Sequence, residues 1–524
     1  MRRPSLAGPL ATILLASVVS AAGCSRCGAP RRPGPGAARF LPADAVAALV
    51  IPRLGEASRQ AAALQAALVA RPGAGDLGTL RTALGAQLGV DLFDPASLAG
   101  AGLDPERGLA AALLPAGSGA AGPQPVLVLP AGDAARLQAF VDRLARDRLG
   151  AGGPSHEGGL VLWRQAPGSP PVLSLAFTDG SALLAPGPGG ADALRALLRL
   201  EPARSLDESP AWRRLQAALG EPAAALASVP AGSPALGTIP GLPEIQALGG
   251  LAAGLSASER GARLVLAALL APEEARLRPL AGPGAGGAAA AIAPDAAVGL
   301  RLSADLGTAL PLLSDRLPPS LAPLKDLAAS LSSPIDVGLT LAPGASLARA
   351  LAGREADPLR VLRLELSAPL PAGSRAGEAL AAQVGSSTTH GPEGWRARRH
   401  DGTELAWSTS GARLHLVAGP DAATAPTAAP PAGFTAPTPA SERALAGGLG
   451  GLVVHVDNLV RAVRSLPSSA YGAGPDAVVA RSLAQKLAAL PGRGAAVSLR
   501  ADLPEGALRL ALEIELGAPP GTAP

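Results

Sequence analysis

A short stretch that occurs twice limits what this chain can fold into more than any other feature. Residues 40–52 read FLPADAVAALVIP and residues 292–303 read IAPDAAVGLRLS, in each case a turn running into a short apolar strand. The elements after each copy repeat in the same order. After the first, periodicity predicts a strand at 45–51 and helices at 54–69 and 77–88, then a loop through Gly89, Asp91 and Asp94-Pro95. Strands at 109–114 and 125–129 precede a helix at 134–149, for which Asp133 is the expected N-cap. A meander at 160–164, 172–177 and 182–185 comes next, its last turn spelled Thr178-Asp179-Gly180-Ser181, and helices follow at 191–200 and 210–219. A strand at 223–229, a small helix at 242–248 and a hairpin of 250–256 with 262–270 close the half.

The second half repeats that series with a strand at 296–302, helices at 305–313 and 321–331, and a strand from Gly338 to Pro343. A strand at 359–366, a helix at 375–384 and a meander at 395–399, 404–408 and 413–417 follow. After a Pro/Thr/Ala loop at 420–439 come a strand at 452–456, helices at 459–466 and 476–490, and a hairpin of 495–501 with 507–516. Equivalent elements lie about 230 to 250 residues apart, the spacing of a duplicated domain rather than of a solenoid. The expected class is α+β: two tandem, homologous domains, each an antiparallel sheet with helices packed on one face. The expected boundaries are a leader at 1–23, a flexible tether at 24–39, domains at 40–280 and 290–518 joined by a Gly/Ala-rich linker at 281–289, and a disordered tail at 519–524.

The leader sets the expected address. Arg2 and Arg3 precede an apolar run from Leu10 to Val19, too short to span a bilayer, and then the small residues Ser20 to Gly23. Ala21-Ala22-Gly23-Cys24 resembles the lipobox of bacterial lipoproteins, with Ala21 standing where that family prefers Leu. The resemblance implies lipid attachment at Cys24, membrane association through that lipid and a place in the bacterial cell envelope. It also implies sorting to an outer membrane, on its periplasmic or surface side, because Ser25 follows the cysteine. Cleavage after Ala22 as an ordinary secretory signal is the alternative. Cys24 and Cys27 also spell C-x-x-C, but without the strand-to-helix setting of a redox pair. The tether residues Arg26, Arg31 and Arg32 suit anionic head groups.

The body also resembles a known group. Leu41-Pro42-Ala43-Asp44 before a strand, Gly89-Val90-Asp91-Leu92, and Leu103-Asp104-Pro105 before an apolar strand are similar to a family of exported bacterial proteins of unknown function that open on an LPADT-like strand. That resemblance implies export and a two-part α+β fold, and no activity.

Several function classes are poorly served. A net charge of +4 over 524 residues gives no electrostatic footprint for nucleic acid, and 2% aromatic residues give no stacking platform. Arg supplies nearly all the positive charge, Lys325 and Lys486 being the only lysines, so the pI of 9.7 reflects composition rather than a basic surface. Few aromatics also argue against the girdles of a membrane barrel. His400 and His415 with Asp401 or Glu404 form the one conceivable metal set, but their spacing matches no established metal signature. The Gly73–Gly78 and Gly282–Gly287 matches to G-x-G-x-x-G fall between helices and in the linker, not after a strand. Asp44 and Asp295 read as turn residues, and Trp163, Trp212, Trp395 and Trp407 as packing. No catalytic, cofactor or metal residue is therefore assigned. The leading expectation is a non-catalytic, lipid-anchored envelope protein acting as a structural or interaction module toward another envelope protein. The alternatives are an extracytoplasmic hydrolase using His400, or His455 with Asp457, and a carrier of an apolar ligand.

Overall fold

A computed structural model describes residues 36–70, 76–116, 122–220, 223–230, 233, 248–270, 292–305, 331–341, 362–384, 387–399, 402–410, 412–420, 422–424, 433–466, 478, 481–482, 485, 493–504 and 507–518. The leader with Cys24 and Cys27, the linker and the tail lie outside them. So do nearly all of the helices expected at 242–248, 305–313 and 321–331 and most of that at 476–490, together with His400 and Asp401, while Leu248 of the first opens a strand. The fold is a mixture of helices and antiparallel sheet, the α+β class expected. It comprises two compact units, one mainly of Met1–Ala70 and Ala74–Ala271, the other mainly of Pro272–Leu503 and Leu510–Pro524.

The first unit contains strands β1 (Ala47–Ile51), β2 (Leu109–Leu114), β3 (Gln124–Pro130), β4 (Ser155–Glu157), β5 (Leu160–Arg164), β6 (Pro171–Thr178), β7 (Ser181–Pro186), β8 (Ala225–Pro230), β9 (Leu248–Ser258) and β10 (Gly261–Leu270). Its helices are α1 (Leu54–Val69), α2 (Asp76–Leu88), α3 (Pro95–Gly100), α4 (Ala134–Leu149), α5 (Gly190–Leu198) and α6 (Pro210–Leu219). The strands pair antiparallel in the order β4-β5-β6-β7-β3-β2-β1-β8-β9-β10. The turn between β6 and β7 is set by two left-handed residues, Asp179 (φ 44°) and Gly180 (φ 68°), which match the twist of the strands they join. Asp133 caps α4 by accepting from the Arg136 amide, and Gly150 closes the helix in the left-handed conformation. Ser209 caps α6, with Pro210 at its first position.

Two short helices depart from the sequence reading. α3 starts at Pro95 behind the cap Asp94, whose carboxylate accepts from the amides of Ala96 and Ser97. In the second unit α8 (Pro439–Ala446) starts the same way behind Thr438. Six and eight residues are too few to register a helical period, so cap and proline were the only signals.

Helix placement also corrects the expectation of one covered face. Val161, Trp163, Leu173 and Leu175 pack against Leu137, Val141 and Ala145 of α4, and Leu49, Ile51 and Ala111 against Ala57 of α1. The alternate residues Leu160, Leu162, Ala176, Leu183 and Ala185 point the other way and are equally buried. There α5 lies on the sheet, with Gly190 so close that an added Cβ would stand 2.5 Å from the Ala185 carbonyl oxygen. α6 lies there too, its Leu219 3.4 Å from where a Cβ of Gly254 would be. Unbroken apolar runs such as the LAAALL of β2 signal burial on both faces, not one.

The second unit contains β11 (Val298–Leu302), β12 (Ile335–Leu341), β13 (Leu362–Pro369), β14 (Thr389–Gly391), β15 (Gly394–Arg398), β16 (Glu404–Ser410), β17 (Arg413–Gly419), β18 (Gly450–His455), β19 (Arg493–Asp502) and β20 (Ala507–Ala518). Its described helices are α7 (Ala376–Val384), α8 and α9 (Val456–Ser465). The antiparallel order is β14-β15-β16-β17-β13-β12-β11-β18-β19, with β20 beside β19. Strand for strand this is the order of the first unit. Ala376 and Leu380 of α7 pack on Trp407, Leu414 and Leu416. α8 lies on the opposite face, where a Cβ at Gly451 would meet the Ala444 carbonyl oxygen at 1.8 Å.

Two neighbouring glycines test the packing of α3 against α4. A Cβ at Gly100 meets nothing within 4 Å, whereas at Gly102 (φ +88°) it would stand 2.4 Å from the Leu137 amide nitrogen. Gly100→Ala is expected to be neutral or to stabilise by up to about 1 kcal/mol. Gly102→Ala should cost about 2 kcal/mol or more. Urea denaturation of the two variants measures the difference.

Candidate functional site

The chemistry-bearing residues that the second unit brings together lie in one row across its sheet. Register places Arg301 (β11) opposite Asp336 (β12), Asp336 opposite Ser367 (β13), Ser367 opposite His415 (β17) and His415 opposite Ser408 (β16). Because residues directly opposite share a face, all five side chains project to the α8 side. At the equivalent row of the first sheet stand Val50, Ala110, Val128, Leu183 and Ala176. The same position in the lattice is thus apolar in one unit and polar in the other.

The row is buried, and its Arg301–Asp336 end is internally paired. Arg301 and Asp336 are 5% and 1% exposed, and Ser367, His415 and Ser408 are 3%, 6% and 9% exposed. Arg301 grips Asp336 in a fork, Nε to Oδ1 at 2.8 Å and Nη2 to Oδ2 at 3.4 Å. Its Nη1 donates to the Leu445 carbonyl at 3.2 Å, in the last turn of α8, where helix carbonyls lack partners and a cation is favoured. The guanidinium lies beside Gly451, whose missing side chain admits α8 to the sheet. Arg413, on the same face of β17, donates from Nε and Nη2 to Ser367 Oγ at 3.2 and 3.1 Å and stands 4.0 Å from Asp336. Burial pushes the Asp336 carboxyl above its ordinary value of 3.8, against the pull of Arg301 and Arg413.

The other candidates have structural roles. His455 caps α9, its Nδ1 accepting from the Asn458 amide at 3.4 Å, and lies edge-on to Phe434. Burial holds its pKa below 6.5, with Asp457 opposing and Arg461 reinforcing that shift. Asp457 Oδ2 accepts from the Gly494 amide at 2.8 Å. Asn458 donates to the carbonyls of Pro294 and Ala296, fixing the second opener. Asp44 and Asp295 are exposed members of matching turns closed by Ala45 N to Pro42 O (3.2 Å) and Ala296 N to Ala293 O (3.1 Å). His415 is in the buried row, and among the described residues no three His, Cys, Asp or Glu gather as a metal set. Trp163 donates to Asp142 at 2.9 Å and Trp407 to the Gly377 carbonyl at 3.1 Å, with Trp395 stacked on Trp407, while Trp212 is buried on α6.

The first unit has an open cleft at its β4–β5 edge, lined by Ser155, Glu157, Arg164 and the 165–171 loop. Its charges are spent on each other: Arg164 binds both Glu157 oxygens, at 2.6 and 3.0 Å, and Ser155 at 2.8 Å. The Arg164 hydrogen bond holds Glu157 below its usual pKa.

No protein-family model and no curated protein matches this chain. Among solved structures, crystal forms III and I of a protein designated TP0453 are similar over 45% of this chain and 79% and 78% of theirs. The identities are 11% and 10% and the TM-scores 0.25 and 0.24.

Removing one member of the buried pair strands the other. Arg301→Val and Asp336→Ala are each expected to cost about 3–5 kcal/mol. The double variant, which installs the first unit's Val50–Ala110 pair, should cost less than either, as read from chemical denaturation. Asp336 also leaves a pH signature. Its raised pKa means the folded state holds the proton more tightly, so its contribution is full below 3.8 and is lost as pH rises through the folded value. Wild type minus Asp336→Asn stability should therefore fall with rising pH across that window.

Proposed function

We propose that this chain is a non-catalytic, lipid-anchored protein of a bacterial cell envelope. It consists of two tandem homologous domains, 40–280 and 290–518, each an antiparallel sheet between helices. Its lipid is carried on Cys24, and its work is contact with another envelope protein. The expected tether of 24–39 is shortened at its far end, because Ala37–Phe40 forms a 3-10 turn with Ala37 and Ala38 buried and Arg39 bonded to Asp179. The observation that carries the non-catalytic reading is the state of the buried row. Asp336, Ser367, His415 and Ser408 are the residues best suited to chemistry, and each is at most 9% exposed. A catalytic set needs room for a substrate atom beside the nucleophile. Asp336 is instead taken up by Arg301, and Ser367 by Arg413.

The tandem reading is supported by the repeated opener and the shared strand order. The anchor is supported by the leader, with its short apolar run and small residues before Cys24. In a bacterial host that processes lipoproteins, wild type should sediment with membranes and show the mass of an acylated chain beginning at Cys24. Cys24→Ala should be soluble or retain its leader. A wild-type chain that begins at Gly23 and is soluble would contradict the anchor.

A further inference from the structure

The contrast between the two rows bears on a hazard specific to this architecture. Two sheets of the same strand order in one chain can exchange equivalent strands while folding, a characteristic failure of tandem domains. The opening strands are close to interchangeable. Ala47, Leu49 and Ile51 of β1 correspond to Val298, Leu300 and Leu302 of β11, apolar at every position. Ala48 corresponds to Gly299, where a Cβ would meet Ile292 and Phe434 at 3.3 and 3.4 Å, a tight contact that a small shift relieves. Only Val50 and Arg301 differ in kind.

We propose that the buried polar row of the second sheet is a sorting code that keeps the strands of the two domains from exchanging. This rests on the tandem-domain reading above. If β1 entered the second sheet in place of β11, Val50 would lie against Asp336, leaving a buried carboxylate without Arg301. Arg301 would in turn lie between Ala110 and Leu226 in the first sheet, the neighbours that Val50 has there. The first error leaves Asp336 with only Arg413 at 4.0 Å, the second buries Arg301 among Ala110 and Leu226, and both are costlier than the native pair. The code extends along the sheet. Ser367 and His415 occupy the places that Val128 and Leu183 hold in the first domain, so β13 and β17 are marked as β11 and β12 are. A one-residue slip is penalised too, because it would turn Arg301 to the Trp407 side of the sheet. The row therefore adds specificity by penalising the wrong partner rather than by strengthening the right one.

The test traps strand partners in the full chain carrying Cys24→Ala and Cys27→Ala. Leu300→Cys with Val337→Cys reports the native pair, and Leu49→Cys with Val337→Cys the exchanged one. The background is either the native row or the row rewritten as the first domain's, R301V/D336A/S367V/S408A/H415L. After refolding and oxidation, the native row should give the native disulfide and almost none of the exchanged one. The rewritten row should raise the exchanged fraction about tenfold or more, since the penalty on the wrong pairing is removed. Should the fivefold variant not fold, R301V/D336A carries the same expectation. An exchanged fraction that does not rise with the row removed would overturn the sorting role. Failure of the Leu300–Val337 disulfide in the native row would instead sink the strand order on which the tandem reading stands.

Discussion

A sheet covered on both faces obliges every one of its strands to bury side chains in both directions. In such a sheet no inward position is neutral: it is filled by an apolar side chain, or by a polar one whose partners are also inside. The first unit meets this constraint with Leu, Val and Ala on both faces, Ser174, Ser181 and Ser228 being minor departures. The second meets it on the α7 side the same way, with Trp407, Leu414 and Leu416. On the α8 side it buries Arg301, Asp336, Ser367, His415 and Ser408 in five neighbouring strands, where Arg301 pairs with Asp336 and Arg413 bonds Ser367.

That choice shapes the elements around it. Gly451 has no side chain because α8 descends onto the sheet there, and the descent brings the Leu445 carbonyl to the third donor of Arg301. Ile292 and Phe434 close over Gly299 beside the row, and Asn458 ties the 292–297 turn to the start of α9. An apolar cluster of Ile292, Ala296, Phe434, Ala444, Leu445 and Val453 thus borders the ion pair. A charge pair in that setting contributes little net stability, because desolvation offsets its attraction, but its disruption is costly. Its contribution is discrimination between arrangements.

Much of the fold was legible in the sequence because it is written in local period and punctuation. The bounds of α1 follow from the spacing of Leu54, Ala57, Ala61 and Leu64, those of α4 from Asp133 and the spacing of Leu137, Phe140, Val141 and Leu144, and the β6–β7 hairpin from Asp179-Gly180. Three things were not legible locally. α3 and α8 are too short for a period, although Asp94-Pro95 and Thr438-Pro439 marked their starts. Coverage of both faces was hidden because Ala-rich strands read as weakly alternating rather than doubly buried. The polar row was hidden because its members, at 301, 336, 367, 408 and 415, are neighbours only through register. The one signal for it was the substitution of Arg301 for Val50 between the two openers, visible when the halves are compared and invisible in either alone.

Whether the row is sealed decides between a structural device and a reactive site. With Cys24 and Cys27 replaced by alanine, Ser367→Cys supplies a single thiol in the row, and Ala166→Cys an exposed control. Native-state labelling with a thiol reagent then reads access directly. The structure predicts that the control reacts at once, while the Ser367→Cys thiol reacts no faster than the protein unfolds. Labelling of both at the same rate would mean that Ser367, His415 and Asp336 are open to solvent, and the row would have to be treated as an active site.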